Sequence, residues 1–176
     1  MEAIAQAFAE QKVASMRFNF PFMQSGQRRV DRPDVAMAAI AAAYEYAEQE
    51  WSGPLFAGGH SFGGRMTSLA VAEGLLSPAG LIFCSFPLHP PGEPSLKRAR
   101  HLPLIGAPML FLSGTRDDLA DQSLLSGVIS GLYDAQLHWL ETGNHAYVVL
   151  KRTRTNPIDV FTEMGRVVRT FIDGHG

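Results

Sequence analysis

The sequence predicts an α/β protein in which a mostly parallel sheet of about five strands carries helices on both faces. Three observations predict this class: short apolar runs typical of buried strands, stretches of helical pattern between them, and glycine or proline at most boundaries. Strands that alternate with helices favour parallel pairing, because a crossover helix returns the chain to the same end of the sheet. No repeat or linker divides the 176 residues, so we expect one domain over residues 1–176.

The first fifty residues predict a helix, a strand and a second helix. Residues 1–12 place apolar side chains along one helical stripe, and residues 13–20 alternate partly and are rich in strand-forming residues. Pro21 ends this strand, because proline lacks the amide proton that a strand ladder uses. Residues 34–50 are rich in alanine, which has the highest helix propensity.

From residue 55 onward, short apolar runs alternate with segments of helical pattern. The runs favour buried parallel strands, since they are apolar throughout and are bounded by glycine or proline. The predicted strands are residues 55–59, 80–86, 108–114 and 135–141. The predicted helices are residues 65–74, 121–132 and 157–172.

Composition and charge exclude several classes of function. The chain has 17 acidic and 15 basic residues and a net charge of −2, so we expect no affinity for nucleic acid or anionic membranes. No apolar run reaches the roughly 20 residues that span a bilayer, and the first residues lack the basic segment of a signal peptide. The single cysteine, Cys84, cannot form an internal disulfide, which favours a reducing compartment. We therefore expect a cytoplasmic protein.

The motif Gly59-His60-Ser61-Phe62-Gly63 stands between a predicted strand and a predicted helix. A Gly-x-Ser-x-Gly string alone is weak evidence, but in this strand–turn–helix context it is the nucleophile elbow of α/β-hydrolases. The tight turn requires little bulk two positions from the serine, and Gly59 and Gly63 meet that requirement. The turn would expose the Ser61 hydroxyl and aim the Phe62 amide at the oxyanion that forms on attack. The alternative is a glycine-rich turn with an inert serine.

A nucleophilic serine needs a base, which is usually a histidine oriented by a carboxylate. In this fold the three residues follow in the order serine, acid, histidine. Asp117 and His145 each follow a predicted strand, so both lie at the sheet edge that also carries Ser61. We therefore predict Ser61 as nucleophile, Asp117 as acid and His145 as base.

Other candidate residues have simpler explanations. Asp118 and Asp121 remain alternatives for the acid, although either could instead cap the helix that follows. His60 precedes the serine and is expected to make local hydrogen bonds, and Cys84 is expected to be a small core residue. The remaining histidines lie in the long connection, within a strand or in the C-terminal tail: His89, His101, His138 and His175.

The sequence contains no recognisable cofactor motif. No group of His, Cys, Asp and Glu has the spacing of metal ligands, and no glycine-rich nucleotide loop is present. We therefore expect neither a metal nor a cofactor. The predicted substrate is a small molecule with an ester-like or other acyl carbonyl, hydrolysed through an acyl-enzyme.

Five strings of the sequence resemble a poorly characterised family of predicted α/β-hydrolases that is similar to dienelactone hydrolase-like proteins. The resemblance covers nearly the whole chain, and it implies Ser61 as nucleophile, Asp117 as acid and His145 as base. It implies no particular substrate. The strings that carry it are MEAIAQAFAEQKVASMRFNFPFM, GPLFAGGHSFGGRMTS, FPLHPPGEPSLKRARHLP, MLFLSGTRDDLAD and GNHAYVVLKR.

The chain departs from the family pattern at its start. Relatives normally carry, before the first helix, a strand with a His-Gly-Ala-Gly-type loop that supplies a second oxyanion donor beside the nucleophile's strand. The resemblance therefore implies an N-terminally shortened α/β-hydrolase fold, in which either segment 13–20 moves beside strand 55–59 or that edge is left unpaired. A bare edge invites self-association, so we expect that the chain can form a homodimer. An alternative function is a catalytically weak or inactive scaffold that binds partners.

The connection over residues 87–107 follows the strand after which this fold often inserts a lid. Several prolines stiffen this segment, which also carries Lys97, Arg98 and Arg100. These cations either meet an anionic group of the substrate or belong to a solvated basic loop, which is the simpler interpretation.

Overall fold

The computed structural model describes all residues, Met1–Gly176, and contains one sheet of four parallel strands. The strands lie side by side in chain order, β1-β2-β3-β4, so each is joined to its neighbour by a crossover connection. The α/β class and the parallel sheet are confirmed, with four strands rather than about five. The elements are α1 Glu2–Glu10, α2 Pro21–Gln24, α3 Pro33–Glu50, β1 Phe56–His60, α4 Phe62–Ala72, β2 Gly80–Cys84, β3 Met109–Gly114, α5 Gln122–Ser130, β4 Ala135–Leu140 and α6 Val160–His175.

Helices cover both faces of the sheet because the side chains of its central strands alternate between two cores. Leu81 and Phe111 point to the face that packs against α4 and α5. Ile82 and Leu112 point to the opposite face, which packs against α6 and the first turns of α1. Helix α3 lies outside α4 and closes a third, smaller cluster. Strands β2 and β3 are buried along their whole length, which explains their uninterrupted apolar sequence.

The prediction of a strand over residues 13–20 is wrong. These residues follow α1 without pairing to any strand, and β1 pairs only with β2. A cavity of about 500 Å³ is lined by residues 13–18 on one side and by residues 54–59 on the other. Strand propensity describes how a residue fits a paired, half-buried surface, and this segment makes no hydrogen-bonded pair with the free edge of β1, with which it lines the cavity. Of the two arrangements expected from the sequence, the unpaired edge is the one observed.

The turn between β1 and α4 depends on a close approach of two backbone segments. Ser61 has φ 52° and ψ −118°, a conformation that L-residues rarely adopt. A Cβ atom on Gly64 would lie 2.6 Å from the Gly59 carbonyl oxygen, and one on Gly59 would lie 3.0 Å from backbone atoms of Gly63 and Gly64. A Cβ atom on Gly63 would meet only the Phe20 ring, at 3.7 Å. The prediction that Gly63 must lack bulk is therefore wrong, and the second constrained glycine is Gly64.

The long connection after β2 is anchored to the sheet by its apolar residues. Leu88, Leu102 and Ile105 are buried in the core that faces α4 and α5. Its other anchor is a hydrogen bond of 2.7 Å between His101 Nε2 and the Ser68 hydroxyl on α4. Residues 91–97 between these anchors are largely exposed. The connection is thus held at both ends and projects in the middle.

We expect Gly64→Ala to destabilise the protein by about 1–3 kcal/mol, because the new methyl group forces β1 and α4 apart. The matched variant Gly63→Ala should be neutral or stabilising, since alanine is the better helix former and its methyl group would make only an ordinary contact with the Phe20 ring. Urea unfolding of both variants checks the difference. Equal stability of the two variants would contradict the steric account of the turn.

We expect the protein to lose stability as the pH falls from about 6.5 to about 4, and His101 to contribute to this loss. Burial, and then the charge of Arg65, lower the pKa of His101 from 6.5 to about 4. In this interval the unfolded chain therefore binds a proton that the folded chain does not bind. The free energy of unfolding consequently decreases as the pH decreases. The variant His101→Gln should show a smaller decrease in urea midpoint between pH 7 and pH 4. An unchanged decrease would argue against this role.

Candidate active site

Three side chains meet at the carboxyl ends of the parallel strands. His145 Nε2 lies 2.8 Å from Ser61 Oγ, and His145 Nδ1 lies 2.9 Å and 3.0 Å from the two carboxylate oxygens of Asp117. Ser61 follows β1, Asp117 follows β3 and His145 follows β4. The structure thus brings together the three residues that the sequence places at strand ends. Their hydrogen bonds form a chain from a hydroxyl through an imidazole to a carboxylate.

The Asp117 side chain is fully buried, and its carboxylate is held by more than the imidazole. The Leu119 amide donates to Oδ1 at 2.9 Å, so the carboxylate also accepts a hydrogen bond from the backbone. Asp118, the neighbouring alternative, is exposed. Asp121 caps α5, where its side chain accepts from the Leu124 amide. Among the three aspartates, only Asp117 contacts His145.

The loop that carries His145 is fixed to the loop that carries Asp117 by backbone contacts. The Thr142 amide donates to Thr115 Oγ1 at 2.8 Å, and the Arg116 amide donates to the Gly143 carbonyl at 2.8 Å. The Asn144 side chain then closes the turn, because its Oδ1 accepts from the Ala146 and Val148 amides. These contacts join two loops that are distant in sequence, and no pattern in the sequence indicates them.

His60 supports His145 from the strand side. Its Nε2 lies 2.9 Å from the His145 carbonyl oxygen, which can only accept, so Nε2 carries the proton in this contact. The two imidazole rings are 5.1 Å apart. Burial lowers the pKa of His60, which favours the neutral ring. The contact spans 85 residues of sequence, so the local hydrogen bond expected for His60 is in fact a bond to a distant loop.

Helix α4 begins directly at the nucleophile elbow. Phe62 is its first residue, so the Phe62 amide belongs to the turn whose amides have no partner within a helix. The helix dipole adds partial positive charge at this position. The Phe62 ring packs edge-on against Phe20 and Phe22, which lie just before and within the short helix α2. The elbow therefore combines an amide donor with an apolar wall.

The other histidines and the cysteine lie in structural contacts. His89 Nε2 accepts from the Asp121 amide, and His138 Nε2 lies 2.9 Å from a Glu163 carboxylate oxygen. Burial raises the pKa of Cys84 to about 12, so its thiol stays protonated at neutral pH. No group of three or more His, Cys, Asp and Glu side chains is arranged to hold a metal ion. None of the helices is both long enough and apolar enough to cross a membrane.

Comparison with known proteins places the chain in a family. A family model described as "Alpha/beta hydrolase domain" matches residues 1–173. Among solved structures, the chain is similar to Est1E from Butyrivibrio proteoclasticus with bound ferulic acid, with a TM-score of 0.74 and 15% identity over 99% of this chain and 82% of that one. It is also similar to an α/β serine hydrolase homologue from Coxiella burnetii, with a TM-score of 0.68 and 18% identity over 97% and 73% of the two chains. A third similar structure is the esterase domain of a Rhodothermus marinus protein, with a TM-score of 0.69 and 13% identity over 99% and 80%.

The similarity to these structures is at the level of fold, whereas the family model covers nearly the whole sequence. The family match supports hydrolase activity. The chain therefore belongs to the alpha/beta hydrolase domain family.

Proposed function

We propose that this protein is a serine hydrolase that cleaves an ester-like or other acyl bond through an acyl-enzyme. The observation that carries the proposal is the hydrogen-bonded series Ser61 Oγ, His145 and Asp117, with contacts of 2.8 Å and 2.9 Å. A serine hydroxyl becomes a competent nucleophile when a base accepts its proton, and this imidazole is within reach. The buried carboxylate of Asp117 holds the imidazole with the proton on Nδ1, which leaves Nε2 free to accept.

In the proposed reaction, Ser61 Oγ forms a bond to the acyl carbon while its proton moves to His145 Nε2. The imidazolium then returns that proton to the leaving group, and the bond between the acyl carbon and the leaving group breaks. Water then forms a bond to the acyl carbon while its proton moves to His145 Nε2. The bond between the acyl carbon and Ser61 Oγ breaks, Oγ takes that proton back, and the acid is released. The Asp117 carboxylate, which also accepts from the Leu119 amide, lies beside the imidazolium that forms in each step and stabilises its charge.

The Phe62 amide is the proposed donor to the oxyanion. Its place at the start of α4, next to Ser61, supports this role, because amides there are unpaired and the helix dipole favours negative charge. A donor of this kind contributes about 2.7–4 kcal/mol to transition-state stabilisation, or roughly a hundred- to thousandfold in rate. The phenyl wall formed by Phe20, Phe22 and Phe62 supports an apolar setting for the acyl group.

We expect a fluorophosphonate probe to label the native protein and to label Ser61→Ala not at all, because the probe reacts with an activated serine. Gel fluorescence and mass spectrometry of the labelled peptide measure the result. Ser85→Ala is a matched control. Like Ser61, Ser85 directly follows a strand, here β2, and has a positive φ, but it is fully buried. Labelling should persist in that control. Native protein that resists the probe would favour the inactive scaffold instead.

We expect Asp117→Asn to lower the turnover of p-nitrophenyl acetate by up to about 10⁴-fold, because the amide favours the wrong imidazole tautomer. Asp118→Asn is the control, since its exposed side chain is one residue away and makes no contact with His145. The fold of both variants is compared by circular dichroism. Equal turnover in the two variants would exclude Asp117 as the orienting acid.

A further inference from the structure

Two half-buried arginines, Arg65 and Arg98, have guanidinium groups that make no hydrogen bond or ion pair with the rest of the protein. Arg65 lies on α4 one turn after the nucleophile, and its amide donates to the Ser61 carbonyl. Arg98 lies in the 3-10 helix Lys97–Ala99 of the long connection. The Arg65 Nε atom is buried without a partner. The arginines that do pair with carboxylates are elsewhere: Arg32, Arg154 and Arg169.

Arg65 and Arg98 lie on two segments that a side-chain hydrogen bond holds together. The hydrogen bond between Ser68 and His101 holds the connection against α4, and each arginine stands three residues before one of these partners. Burial, and then the positive charge of Arg98, lower the pKa of Arg65. His101 is neutral at pH 7, since its pKa is about 4. The cluster therefore holds two positive charges and no negative one.

Such an arrangement is unfavourable on its own. Two like charges repel, and half-burial removes part of the water that would screen them. A guanidinium offers up to five donors in a planar fork, which fits the two oxygens of a carboxylate or of a phosphate. An anion between the two arginines would relieve the repulsion and supply partners for donors that now have none.

The solvated basic loop expected from the sequence describes only part of this segment. Lys97 and Arg100 are exposed, as such a loop requires. Arg98 differs from them because it is half-buried, in a segment that is held against α4, and its charge acts on Arg65. The connection thus places one of its three cations, Arg98, beside the helix that starts at Ser61.

We propose that Arg65 and Arg98 bind an anionic group, a carboxylate or a phosphate, carried by the substrate that Ser61 attacks. This inference rests on the proposed function and narrows it to acyl substrates with a negative charge. Arg65 is a single helical turn, about 5–6 Å along the axis, from Ser61. A charge separated from the acyl carbonyl by a few methylene groups therefore fits the two positions together.

The test compares mono(p-nitrophenyl) esters of succinate, glutarate and adipate with their methyl esters, which have the same chain and no charge. We expect the native protein to favour the free acid of the best-fitting length. Arg98→Gln should reduce the ratio of kcat/KM for that acid to kcat/KM for its methyl ester by roughly 10- to 100-fold, mainly through the KM of the acid. Arg65→Gln should act in the same direction. The control Arg100→Gln, exposed on the same connection, should keep the native preference.

Calorimetry with glutarate and with inorganic phosphate separates this inference from the proposed function. If no ester is hydrolysed, the proposed function fails, and the calorimetry alone decides whether the arginines bind anions. Binding to the native protein that is lost in Arg98→Gln then supports the site. The inference is overturned if the native protein binds neither anion. It is also overturned if the preference for the free acid over its methyl ester survives in Arg98→Gln. Anion binding without any preference between the paired esters overturns the substrate role and points to a free anion.

Discussion

The contact between Gly59 and Gly64 is the constraint on which the rest of the site depends. It brings the end of β1 and the start of α4 so close that no side chain fits between them, and the residue at the turn must take a positive φ. Ser61 occupies that position. Its hydroxyl therefore stands above the sheet edge, and the first amides of α4 lie beside it. The strain of this conformation is held by packing on both sides, since α4 is buried against β1 and α3.

The sheet then sets the distance between the other groups. Parallel strands present their carboxyl ends at one edge, so the loops after β3 and β4 lie next to each other. Two hydrogen bonds fix these loops, one from the Thr142 amide to the Thr115 hydroxyl and one from the Arg116 amide to the Gly143 carbonyl. His60 adds a bond from β1 to the His145 carbonyl. The imidazole is thus held from both sides, and its position relative to Ser61 follows from rigid elements rather than from a free loop.

The features that could be predicted from the sequence are those that a local residue pattern determines. The four apolar runs that became strands and the strand-end positions of Ser61, Asp117 and His145 follow from periodicity and chain order. Segment 13–20 could not be predicted, because a strand also needs a hydrogen-bonded partner, and this segment lines a cavity beside the free edge of β1 instead of pairing with it. Gly64 was missed because its constraint comes from a backbone oxygen five residues away in a different element. The position of Arg98 relative to Arg65 depends on how a long connection packs against α4. No local sequence pattern indicates that packing.

The central claim is that the elbow presents Ser61 to His145 and directs the Phe62 amide at the developing oxyanion. A crystal structure of the protein after reaction with diethyl p-nitrophenyl phosphate tests it most directly. We expect phosphorus bonded to Ser61 Oγ, with the phosphoryl oxygen about 3 Å from the Phe62 amide nitrogen and His145 still beside Oγ. An adduct on any other side chain, or a phosphoryl oxygen turned away from Phe62, would contradict it.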